Sequence, residues 1–119
     1  VGPPDPNVPL APEEMAAGLA VAERLRVAVF VVAYEAESEI AATLRRIPPA
    51  LRERLAAVYV IDDCSGDRTV EVARRLAAEI PFLRVFRTPF NQGYGGNQKI
   101  GYRYALAEGF DVVVLLHAD

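Results

Sequence analysis

The sequence has one cysteine, one methionine and no tryptophan among its 119 residues. A lone Cys64 excludes an intrachain disulfide, and an unpartnered thiol fits a reducing compartment, so a cytoplasmic setting is expected. No apolar run reaches the ~18 residues that a membrane-spanning helix needs. The first residues also lack the basic flank and apolar stretch of a secretory signal. Positive charge is not in excess: 13 Lys and Arg against 16 Asp and Glu leave a net charge of −3. Phosphate-backbone binding needs clustered cations on one face, and here they are spread along the apparent helices, so no nucleic-acid partner is expected. With 52% hydrophobic and 24% charged residues, disorder of the whole chain is excluded as well.

What is present alternates between two periods. Val1 to Pro12 holds five of the nine prolines and little that forms a core, so it reads as an extended leader. Pro12 suits a first helical position, Glu13 and Glu14 favour the positive end of the dipole, and Met15, Leu19, Ala22 and Leu25 recur at helical spacing. A short helix is therefore predicted over residues 13–25. Residues 1–25 form the leader and this helix, and residues 26–119 form the domain proper.

Within that domain, Val27 to Val32 and Ala57 to Ile61 are continuous β-branched runs of strands buried on both faces. A helix is predicted from about Ser38, its N-cap, to Ile47, ended by Pro48-Pro49. A second helix carries Val72, Leu76 and Ile80 inward and stops at Pro81. A third strand, Leu83 to Arg87, leads to the glycine-rich turn Asn91 to Gly96 and a helix carrying Ile100, Tyr104 and Ala107. Gly109 suits the left-handed residue after that helix. A fourth strand, Val112 to Leu116, precedes His117-Ala118-Asp119. Apolar strands alternating with helices predict an α/β fold, a Rossmann-like, mainly parallel sheet with flanking helices.

In such sheets ligands bind outside the carboxyl ends of the strands. Those ends carry Tyr34, Glu35 and Glu37 after the first strand and Asp62-Asp63 after the second. The third leads to Gly93, Gly95 and Gly96, and the fourth to His117 and Asp119. Adjacent strand residues face opposite ways, so one of Asp62 and Asp63 is expected to accept from a ligand N–H. The other braces the loop or caps a helix. Ser65 and Asp67 read as turn and capping residues. The glycines open a helix whose N-terminus favours anions, with Lys99 and Arg103 further along it. This is neither a dinucleotide fingerprint nor a P-loop, because the spacing and the Gly-Lys-Ser/Thr are lacking. A carboxylate at Asp119 facing a diphosphate calls for Mg²⁺ or Mn²⁺ between them, with His117 as a weaker second candidate ligand.

These segments resemble family 2 glycosyltransferases. Val31-Val32-Ala33-Tyr34-Glu35-Ala36-Glu37 is similar to that family's Pro-x-Tyr-Asn-Glu-Glu, and Val60 to Thr69 to its Val-Asp-Asp-Gly-Ser-x-Asp-x-Thr. Asn91-x-Gly93-x-Gly95 is similar to its Asn-x-Gly-x-Gly, and Asp111 to Asp119 to the strand delivering its Asp-x-Asp. The resemblance implies the N-terminal, nucleotide-binding half of a GT-A fold. It places Tyr34 near the base, Glu35 or Glu37 near the nucleoside, Asp63 (with Asp62 as rival) at the base edge, and Asp119 on a metal bridging the diphosphate. It implies transfer of a sugar from a nucleotide-sugar donor to an acceptor hydroxyl or phosphate. The pattern leans toward polyprenyl-phosphate sugar transferases, hence a lipid-linked acceptor at the cytoplasmic face of a membrane. Two departures stand out: the usual Asn-Glu is Glu35-Ala36, and the first Asp of Asp-x-Asp is His117. The acceptor-binding half and the catalytic general base are expected beyond Asp119, so residues 1–119 alone are expected to be inactive. Two rivals remain at this point. One is a non-catalytic nucleotide-binding or interaction module. The other is a receiver-type signalling domain, whose acidic pair would follow the first strand rather than the second.

Overall fold

The computed structural model describes residues 11–118, so the predicted leader lies almost wholly outside the described residues, as does Asp119. Helix α1 spans Pro12–Arg24 with proline in its first turn, as the sequence suggests. The four strands are β1 (Val27–Ala33), β2 (Ala57–Asp62), β3 (Leu83–Arg87) and β4 (Val112–His117). They form one parallel sheet in the order β3-β2-β1-β4. The chain thus steps outward from β1 to β3, then returns across the sheet to place β4 on the other side of β1. That reversal opens a crevice at the carboxyl ends of β1 and β4, the switch point where ligands seat in sheets of this kind.

Each face of the sheet has its own core. Val29, Val31, Val58 and Val60 face Ile40, Leu44, Ala73 and Leu76 on the helices that follow β1 and β2, and α1 adds Ala22 to this side. Ala28, Phe30, Tyr59 and Ile61 face the other way, toward Tyr104 on the helix preceding β4. Here Phe30 and Tyr59 stack at 5.0 Å, a geometry contributing about 0.5–1.5 kcal/mol beyond burial of area. The Tyr59 hydroxyl donates to the Gly101 carbonyl at 2.8 Å, and burial pushes its pKa up to about 12. As edge strand, β4 is less covered than its apolar sequence suggests, with Val112 and Val114 exposed.

The helices between β1 and β3 differ from expectation in three places. The one after β1, α2, covers Ile40–Arg45 and is not capped by Ser38: no side chain caps it, and the Ala36 carbonyl accepts from Glu39 and Ile40 N–H instead. The loop before it is held by the neighbouring loop, where Thr69 Oγ1 accepts from Ala36 N–H at 2.9 Å, which delays the helix start. Pro48-Pro49 ends α2 but also opens a short helix, α3 (Pro49–Arg52), because proline fits a first helical position. After β2, α4 (Thr69–Arg75) tightens into a 3-10 turn at Leu76–Ala78 and keeps Leu76 and Ile80 buried.

The glycine-rich segment is not a turn leading to a helix; from Gly93 it is the helix. Helix α5 spans Gly93–Glu108 and ends at Gly109 with φ 73°. Its buried face is Asn97, Gly101 and Ala105, whereas Ile100 and Ala107 are exposed. The face is set by Gly101: a Cβ there would lie 2.0 Å from the Phe30 ring, so only glycine lets α5 approach β1 this closely.

Candidate functional site

The carboxyl ends of β1 and β2 run into two loops that clamp each other. Glu35 has φ 49° and Cys64 has φ 63°, left-handed conformations that cost a non-glycine residue about 1–3 kcal/mol and persist only where surroundings enforce them. The enforcing bonds are visible. Glu35 N–H donates to Ser65 Oγ at 2.8 Å, and Glu35 Oε1 accepts from Gly66 N–H at 2.8 Å. Glu37 Oε1 accepts from Arg68 N–H at 2.7 Å, and Glu37 N–H donates to Asp67 at 3.1 Å. Asp67 also accepts from Thr69 N–H and hydroxyl. Burial pulls its pKa up, but these hydrogen bonds outweigh that and hold the carboxyl below its usual range.

Asp62 and Asp63 divide their labour. Asp62 is fully buried and accepts from Ser65 N–H at 2.9 Å, bracing its own loop. Asp63 reaches across to α5, accepting from Gln92 N–H at 2.7 Å, Gly93 N–H at 2.9 Å and the Thr88 hydroxyl at 3.2 Å. A carboxylate at a helix N-terminus satisfies orphan donors and opposes the helix dipole. Asn91 Oδ1 also accepts from Gly93 N–H at 2.9 Å.

The result is a cleft of about 330 Å³ at the switch point, on the α5 side of the sheet. Val32, Tyr34, Asp63, Asn91, Gly93, Tyr94, Asn97 and His117 line it. The structure therefore brings together Tyr34, Asp63, Gly93 and His117 from four separate segments. Glu35, Glu37, Asp62 and Lys99 lie outside this lining: the first three are engaged on backbone N–H groups or Ser65, and Lys99 is solvent-exposed on α5. His117 stacks on Tyr94 at 5.1 Å, with its Nε2 3.0 Å from the Tyr94 hydroxyl, which accepts from Gln98 Nε2 at 2.6 Å. Among the described residues no group of three or more His, Cys, Asp or Glu side chains could hold a metal; Asp119 lies outside them.

Sequence reasoning passed over Tyr94 and Asn97. Asn97 did carry a signal: it lies four residues before Gly101 and four after Gly93, which puts a polar side chain on the helix face that must be buried.

Comparison with known proteins decides the family. The model of glycosyl transferase family 2 matches residues 28–119. The chain belongs to this family. Helix α1 precedes the matched region. An undecaprenyl-phosphate mannosyltransferase of Micrococcus luteus is 35% identical over 95 residues, which is 80% of this chain and 38% of that protein. The chain thus spans well under half of the curated relative it matches. Among solved structures, a mannosyltransferase from Pyrobaculum calidifontis in complex with GDP-Man and Mn²⁺ has a TM-score of 0.65 at 24% identity, covering 90% of this chain and 39% of that one. Residues 1–349 of TarS from S. aureus, in complex with UDP-GlcNAc, have a TM-score of 0.63 at 22% identity over 80% of this chain and 27% of that one. These two likenesses show a shared fold, the GT-A-type α/β sheet.

Proposed function

We propose that this family 2 domain binds a nucleoside diphosphate sugar in the switch-point cleft, and that the intact protein transfers the sugar, a mannosyl group, to a polyprenyl phosphate. The single observation that carries the reading is the convergence of Tyr34, Asp63, Gly93 and His117 on one cleft at the carboxyl ends of the strands. The choice of sugar and acceptor follows the resemblance to the undecaprenyl-phosphate mannosyltransferase.

The residues divide into those that bind and those that hold the binders. Tyr34 offers a half-exposed ring to a planar base. Asp63 Oδ2, which accepts only from Gly93 N–H, keeps one lone pair free and stands at the base edge. Gly93, its N–H held by Asp63 and Asn91, lets the backbone come close to the nucleotide, and Lys99 and Arg103, on the outer side of α5, add positive potential for the diphosphate without direct contact. Glu35, Glu37 and Asp62 are positioning residues that fix the loops carrying Tyr34 and Asp63.

The donors at the end of β4 fit a divalent cation. A carboxylate at Asp119 with diphosphate oxygens is a hard oxygen set suited to Mg²⁺ or Mn²⁺, and an imidazole at His117 favours Mn²⁺ of the two. When bound, such an ion offsets charge on the departing nucleoside diphosphate. His117 Nε2 is engaged by the Tyr94 hydroxyl, so a cation held by His117 would compete for that nitrogen or take the other.

The test is an assay of the intact protein with labelled GDP-mannose and undecaprenyl phosphate, with Mn²⁺ and with EDTA. Transfer of label to the lipid, abolished by EDTA, is expected. Binding of nucleotide without transfer to any phosphate or hydroxyl acceptor would replace this reading with that of a non-catalytic nucleotide-binding module.

A further inference from the structure

Asn97 lies in the second turn of α5, on the face turned to the sheet, and is completely buried. Its Nδ2 donates to the Ile61 carbonyl at 3.0 Å. That bond fixes the amide's direction, because turning it over would set its oxygen against the Ile61 oxygen, acceptor facing acceptor. Oδ1 is thereby the free end, and it has no hydrogen-bond partner among the described residues. Buried polar atoms in native proteins are nearly always paired, so a solitary acceptor marks a place where something else binds. Asn97 also lines the cleft, and it is tied to β2 two residues before Asp63, on the same side of the strand.

The chemistry of the missing partner is restricted. It must donate, which excludes the diphosphate, whose oxygens only accept. It must enter beside Tyr34, whose ring suits a planar group. We infer that Asn97 Oδ1 accepts a hydrogen bond from an N–H on the base of the bound nucleotide, which makes Asn97 a specificity-determining residue of the cleft. This rests on the nucleotide-binding reading above and deepens it. A pocket that offers a fixed acceptor rejects a base lacking the donor more strongly than an apolar pocket rejects a misfit, because the acceptor is then left unpaired.

The experiment is a cycle between protein and ligand, read by isothermal titration on the intact protein with Mg²⁺. UDP, GDP, CDP and ADP are compared first. The tightest is then compared with its analogue methylated on the base N–H, in the wild type, Asn97→Leu and Asn97→Asp. Asn97→Leu loses both the bond to Ile61 and the acceptor, whereas Asn97→Asp, neutral in this buried site, donates its O–H to the Ile61 carbonyl and keeps an acceptor oxygen. Methylation is expected to weaken binding about tenfold in the wild type and Asn97→Asp, and less than about threefold in Asn97→Leu. An equal penalty in all three overturns the inference, leaving Oδ1 to a trapped water or a ribose hydroxyl. If the wild type binds no nucleotide, the reading of the cleft itself fails and the inference goes with it. Should Asn97→Leu not fold, as judged by circular dichroism, Asn97→Ala takes its place in the cycle.

Discussion

Removing the Asp63 carboxylate tests whether the cleft is built by that side chain. In Asp63→Ala, Gly93 N–H keeps Asn91 Oδ1 and the Thr88 hydroxyl keeps the Phe90 carbonyl, so Gln92 N–H loses its acceptor outright. One orphaned, half-buried donor costs about 1–3 kcal/mol. The lost charge at the N-terminus of a 16-residue helix adds about 0.3–1 kcal/mol. The sum is about 1.3–4 kcal/mol, a drop of roughly 5–16 °C in melting temperature for a domain of this size. Asp63→Asn keeps the shape and one acceptor, and about 1 kcal/mol is expected. Urea unfolding followed by far-ultraviolet circular dichroism reads both. If Asp63→Ala unfolds at the wild-type urea midpoint with an unchanged slope, Asp63 does not hold α5 and the architecture of the cleft has been misread.

Gly101→Ala gains helix propensity but drives a methyl into the Phe30 ring, so a net loss of about 1–3 kcal/mol or more is expected by thermal denaturation; a stabilised variant would contradict the packing described. Tyr59→Phe removes a buried hydroxyl bond to Gly101 and should cost about 1 kcal/mol at neutral pH. The pKa of Tyr59 is raised from 10.0 in the unfolded chain to about 12, so its proton is retained by the folded state. The associated stability is full below pH 10.0 and is lost as the pH rises toward 12; Tyr59→Phe should flatten that alkaline decline, and an identical decline in both proteins would refute it. The lowered pKa of Asp67 has the opposite sign: its contribution is present above the ordinary carboxyl value of 3.8 and lost as the pH falls, so Asp67→Asn should show a shallower acid transition than the wild type. Tyr94→Phe removes the hydroxyl beside His117 and should strengthen Mn²⁺ binding by the intact protein if that contact competes with the metal; unchanged affinity would show that it does not.

How much was legible beforehand depended on whether the deciding interaction was local. The strands were, because apolar β-branched runs such as Val27 to Val32 fit little else, and all four appear where the pattern put them. So was the parallel α/β arrangement, since helices between apolar strands leave few alternatives. The start of α2 was not, because Ser38 is a good capping residue that lost to tertiary hydrogen bonds between the β1 and β2 loops. The buried face of α5 was not legible from side-chain hydrophobicity, because closeness to Phe30 selected Gly101 and with it Asn97 and Ala105. At the site, adjacent acidic residues announced a functional rim, yet the separate tasks of Asp62 and Asp63 depend on Ser65 and Gln92, one local and one distant in sequence. The binding roles expected of Glu35 and Glu37 meet carboxylates already bonded to Gly66 and Arg68.

The account stands on a nucleoside diphosphate occupying the crevice between β1, β4 and the start of α5. An amide-resolved NMR titration with GDP and UDP in the presence of Mg²⁺ examines this directly. The expected result is saturable shifts concentrated at Tyr34, Asp63, Gly93, Tyr94, Asn97 and His117. Shifts centred on α1 and α3, or none at millimolar nucleotide, would contradict it.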